Sequence, residues 1–177
     1  MRTLAPAALF MVVLAACGGD APTVTAPDAS TLARADHESQ PRPLTGRCET
    51  VLAPPEVVAP GVIRQVDTGA CRFTHLGRTQ FYSDKLIDVV AGTQTTQATF
   101  TASNGDALHA VGSGTNVPSV PGRVSFTATL TAVGGTGRFA GATGEAHVEG
   151  EANLVNRTSA LTIDGWIAYD DSEGGDP

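Results

Sequence analysis

Glu145, His147 and Glu149 stand two residues apart. Successive side chains of an extended strand point to opposite faces, so this spacing puts all three on one side. Two carboxylates around an imidazole can work as acid and base when their surroundings split their proton affinities. Tyr82, Asp84, His75 and His109 could join them if strands bring them alongside. The same alternation also fits the wet outer face of a strand, with Ala146 and Val148 turned inward. No nucleophile elbow, HExxH pair or Ser/His/Asp set in a recognisable context accompanies them. The chain thus offers Glu145 and His147 as polar candidates and no catalytic signature, which weighs against an enzyme.

These residues follow a glycine-rich corner, Val133-Gly-Gly-Thr-Gly-Arg-Phe-Ala-Gly-Ala-Thr-Gly144. Gly134, Gly135 and Gly137 can turn the backbone sharply, and Phe139 suits a ring folded over the end of a core. A phosphate loop would need a helix to follow, and the run from Glu145 to Val155 alternates like a strand instead. The loop lysine and its hydroxyl partner are also missing.

The elements that must position these groups are strands. Val124, Phe126, Ala128, Leu130 and Ala132 alternate with Ser and Thr, the pattern of a half-buried antiparallel strand. Thr95–Ser103 and Asp106–Ser113 read as a hairpin around Asn104-Gly105, a dipeptide preferred where both central residues take positive φ. Ala98, Phe100 and Ala102 are expected inward. Leu161, Ile163 and Ile167 share a face of the last strand. Arg47–Leu52, Gly61–Asp67 and Ala70–Leu76 read as strands, with a turn at Thr68-Gly69; residues 112–122 read as loop. In Thr79–Val90 neither face is cleanly apolar, so its inward side stays open. About eight strands without a long helix predict an all-β domain of about 130 residues. An up-and-down antiparallel barrel is favoured over a sandwich, because many inward residues are Ala or Gly.

Hydrophobic residues make up 41% of the chain, enough for a core, and the formal charge of −7 disfavours nucleic acid as a partner. Met1–Ala16 reads as a targeting segment: a positive start at Arg2, then an apolar run too short to span a bilayer comfortably. It ends Leu14-Ala15-Ala16-Cys17-Gly18. This stretch resembles the lipobox of bacterial lipoprotein signal peptides. The resemblance implies cleavage before Cys17, lipid on its thiol, and a cell-envelope location facing periplasm or exterior. An ordinary secretory signal with an incidental Cys17 is the alternative. Residues 17–44, rich in Ala, Pro, Thr and Ser and containing His37, read as a flexible tether; 45–169 as the barrel; 170–177 as a disordered acidic tail.

Cys48 and Cys71 are the remaining cysteines. In an exported domain they are expected to pair, restraining the Pro-rich stretch between them by about 2–4 kcal/mol. A metal site would need paired spacing such as CxxC and a fourth ligand, and neither is present. No cofactor is expected. Asn156-Arg157-Thr158 matches a glycosylation sequon, read as incidental in a bacterial lipoprotein.

The corner resembles that of dirigent and allene oxide cyclase-like barrels, and Thr74-His75-Leu76-Gly77-Arg78 and Phe100-Thr101-Ala102-Ser103-Asn104-Gly105-Asp106 resemble stretches of exported bacterial proteins that share the corner. The resemblance implies an eight-stranded antiparallel barrel. Its plant members act in phenolic coupling and fatty-acid epoxide cyclisation, and no catalytic residue of theirs maps onto a position here. From residues alone, a barrel lined by small side chains predicts a small apolar ligand, unless Phe73, Phe81, Phe100, Phe126, Phe139 and Trp166 fill it. A cyclase-type enzyme and a cell-surface interaction domain are the alternatives.

Overall fold

A computed structural model describes residues 40–169. The targeting segment, Cys17, His37 and the acidic tail lie outside the described residues.

Alternation drives the chain into nine strands: β1 (Arg42–Leu52), β2 (Glu56–Ala59), β3 (Val62–Phe73), β4 (Gly77–Asp88), β5 (Thr93–Ala102), β6 (Ala107–Pro118), β7 (Arg123–Gly135), β8 (Thr143–Asn153) and β9 (Thr158–Ala168). All pairings are antiparallel, in the order β1-β9-β8-β7-β6-β5-β4-β3-β2. A further ladder between β1 and β3 closes eight of them into a barrel, with β2 an appendage on β3. Closure removes the sheet edges that would otherwise offer unpaired backbone.

The inward positions follow the expected period in β5, β7, β8 and β9: Ala98, Phe100, Phe126, Ala128, Leu130, Ala146, Val148, Leu161, Ile163 and Ile167 are all buried. Cys48 faces Cys71 across the β1–β3 ladder, and the two form a disulfide with Cα atoms 4.0 Å apart. The bond ties the closing seam of the barrel.

Four local expectations are corrected. Thr68-Gly69 is not a turn, and β3 runs through it. A side chain at Gly69 would meet the Glu49 carbonyl oxygen at 2.1 Å, so the glycine permits close approach of β1. Residues 112–118 are strand rather than loop, because Val111, Ser113, Thr115 and Val117 keep alternating outward while β7 pairs along them. The Asn104-Gly105 turn has positive φ only at Gly105 (93°). Asn104 instead holds the turn through its side chain, accepting from the Asp106 N–H at 3.2 Å and donating to Asp106 Oδ2 at 2.7 Å. Trp166 does not fill the barrel; its even position on β9 turns it outward, 43% exposed.

The glycine corner hands β7 to β8 through one turn of 3₁₀ helix at Gly137–Phe139. Phe139 is only 1% exposed and packs on Tyr169 with ring centroids 5.0 Å apart, plugging that end of the barrel. Gly137, at φ 54°, leaves room for the Asp106 carboxylate, and Ala107 N–H donates to Thr136 Oγ1 at 2.9 Å. The corner is thereby latched to the β5–β6 turn.

Candidate functional site

The barrel interior divides into two halves along its axis. Toward the Phe139 plug it is aromatic. Phe100 meets Phe73 edge-on at 5.4 Å and Phe81 at 5.2 Å. Leu44, Leu108, Leu130, Ile163 and Ile167 surround them, and Ala110, Ala132 and Ala146 form a wall of small side chains. The Phe73 ring lies where a side chain on Gly46 would otherwise stand. The void left here is about 20 Å³, room for one water. A ligand entering this half must therefore displace a ring.

Toward the other end, near the turns at 53–61, 89–92, 119–122 and 154–157, the interior becomes polar. Gln65, Asp67, Ser83, Lys85, Gln94, Thr50 and Ser159 are buried there. β3 and β4 point Asp67 and Lys85 into the barrel, offset by one inward position, so the ammonium contacts Asp67 Oδ2. Lys85 Nζ also lies 5.4 Å from the Phe126 ring centroid. Asp67 is fully buried, and Ser83 Oγ and Ser159 Oγ have no hydrogen-bond partner among the described residues. Burial pushes the Asp67 carboxyl above its ordinary range, with Lys85 and then Gln65 opposing the shift. Gln65 donates to the carbonyls of Ala53 at 2.8 Å and Val66 at 2.9 Å.

Glu145, His147 and Glu149 share a face of β8, as their spacing requires, and that face is the exposed outside. His147 Nε2 sits 3.2 Å from Glu149 Oε1, a solvent-facing contact. Tyr82 and Asp84 lie on the outside of β4, and Asp84 receives Arg64 Nε at 2.9 Å. That hydrogen bond, together with the guanidinium charge, holds the Asp84 carboxyl below its usual range. His109 lies on β6 with its Nδ1 3.1 Å from Thr99 Oγ1. β7 stands between β6 and β8, so His109 does not join the Glu145 row. His75 is exposed in the β3–β4 turn. Among the described residues no group of three His, Cys, Asp or Glu could hold a metal ion.

The interior Lys85–Asp67 pair was not singled out from sequence, although a signal existed. Lys85 is the only lysine in the chain; every other basic residue is arginine. Comparison with protein-family models, curated proteins and solved structures gives no match, so the eight-stranded antiparallel barrel stands on its own geometry.

Proposed function

We propose that the chain is an exported lipoprotein, held by lipid on Cys17, whose barrel binds a small, mostly apolar ligand against the Phe73–Phe81–Phe100 cluster. One observation carries the binding reading: Phe73 and Phe100, with Phe81 packed on Phe100, line one space together with Ala110, Ala132 and Ala146. The void beside the rings is about 20 Å³, so a ligand is admitted only as a ring swings away from the small side chains opposite. The resemblance of the corner to allene oxide cyclase and dirigent barrels supports the same reading at the level of fold. The Leu14–Cys17 sequence supports export and anchoring. Native mass spectrometry of the protein before and after delipidation, with titration of an apolar fluorescent dye, tests it. Copurifying mass and saturable dye binding, increased in Phe100→Ala, are expected. Identical masses and melting temperatures, with no dye binding by either protein, overturn it.

A cell-surface interaction domain is the second reading. It is favoured by the rim at the polar end, where β2 carries exposed Val57 and the turns carry exposed Val90, Val120 and Val155. Backbone bonds link neighbouring tips, Val89 N–H to the Gly61 carbonyl at 2.9 Å and Leu154 N–H to the Gly122 carbonyl at 2.8 Å. Turns are ordinarily polar, so an aliphatic rim suits contact with another apolar surface. Loss of self-association or partner retention in Val90→Ser/Val155→Ser, with dye binding intact, would favour this reading over the first.

A further inference from the structure

On the outer wall Arg47 on β1 stands directly opposite Arg72 on β3, and Arg72 directly opposite Arg78 on β4. Like charges in direct cross-strand register repel and destabilise a sheet. All three are exposed, and none forms an ion pair among the described residues. They stand in a chain whose formal charge is −7, so this local excess of cations runs against the overall balance. The three line one concave surface of about 930 Å³ on the barrel wall, with Glu49 and Asp164 on its flank. Ala70, between the flanking side chains of β1 and β4, keeps its floor low.

The chemistry of this groove is mixed in a specific way. Guanidinium forks take carboxylates and sulfates two hydrogen bonds at a time. The strand spacing sets the three forks along a line of about 10 Å. Glu49 and Asp164 accept hydrogen bonds from hydroxyl groups, and Thr45 and Thr74, whose Oγ1 atoms lie 3.4 Å apart, add hydroxyls at the edge. A long polyanion would be repelled by these flanking carboxylates and by the net charge. A short chain bearing both acidic groups and hydroxyls meets every part of the groove.

We propose that the Arg47–Arg72–Arg78 face is a binding site for an acidic oligosaccharide, one carrying carboxylate or sulfate groups among its hydroxyls. The site is independent of the barrel interior, so its failure leaves the apolar-ligand reading untouched.

Calorimetric titration of the full chain with an oligogalacturonate, a sulfated oligosaccharide and a neutral malto-oligosaccharide of equal length tests it. The first two arms separate carboxylate from sulfate as the recognised group. Saturable binding of at least one acidic sugar is expected, weakened by added salt, with none for the neutral one. Arg72→Gln, the central fork, should weaken it about tenfold or more, the loss of a charged hydrogen-bonding group. Arg64→Gln, on another part of the wall, should leave it unchanged. Removing Arg72 relieves like-charge repulsion, so its melting temperature should hold or rise, which separates lost binding from lost folding. Equal binding of the neutral sugar, no binding of either acidic sugar, or full affinity in Arg72→Gln overturns the proposal.

Discussion

The two halves of the barrel interior are built on the same eight strands and closed in different ways. At the plugged end, the rings of Phe73, Phe81, Phe100 and Phe139 fill the interior down to a void of about 20 Å³. At the other end a single ammonium, Lys85, neutralises a fully buried carboxylate, Asp67, and stops short of pairing the neighbouring hydroxyls. Packing is forgiving of which apolar group fills a space. A buried charge is not forgiving of losing its partner. The aromatic half should therefore tolerate repacking, and the polar half should tolerate only paired changes.

The largest expected effect breaks the polar half. Lys85→Met alone strands Asp67 and should destabilise the fold by about 3–5 kcal/mol, whereas Lys85→Met/Asp67→Leu should recover most of that loss. Urea melts of the two variants check it, and an equally unstable double variant would mean that the pair does more than neutralise itself. Phe100→Ala removes the ring shared by both aromatic contacts and should cost about 3–5 kcal/mol. If apolar ligand fills the space, the deficit should shrink as ligand is added. Cys48→Ala/Cys71→Ala unties the seam between β1 and β3 and should lower stability by about 2–4 kcal/mol, read from the urea midpoint.

Acid titration gives a smaller and more discriminating effect. The Asp67 carboxyl is raised, so the folded state holds its proton longer than the unfolded chain does. Stability from this group is present below the ordinary carboxylate range. It is lost as pH rises through that range towards the folded value. Asp84 is lowered by Arg64, so its contribution is present above the ordinary range and fades as pH falls. Asp67→Asn should remove the descending component and Asp84→Asn the ascending one, the latter weakly because the pair is exposed. Urea midpoints measured from pH 3 to pH 6 would separate them. The smallest effect belongs to His147→Ala on the outer face, expected within about 0.5 kcal/mol of wild type.

The same contrast explains what could be read from the chain. Where the interior is apolar, period-two alternation named the inward residues of β5, β7, β8 and β9, and the small neighbours of Phe139 in the glycine corner marked its ring as the cap of a core. Where the interior is polar, alternation lost its meaning. β4 turns Thr79, Phe81, Ser83 and Lys85 inward, a mixture that gives no apolar face to recognise. Gly69 illustrates a second limit. A glycine between two strand-like runs signals a turn equally with a close approach, and only the position of β1 decides. The acidic row at Glu145 was legible as one face; which side of the wall it occupies depended on barrel closure. The arginine row could not be seen, because its members come from three strands and meet only through register.

β1 and β9 run side by side from Arg42 opposite Ile167 to Val51 opposite Thr158, so the start of the first strand meets the end of the last. A short linker from Tyr169 to Arg42, with new ends made in the 154–157 turn, would reorder the sequence while keeping every rung of the sheet. The architecture has no privileged starting strand, and a circularly permuted gene should encode the same closed wall with its exit points moved to the valine-tipped rim.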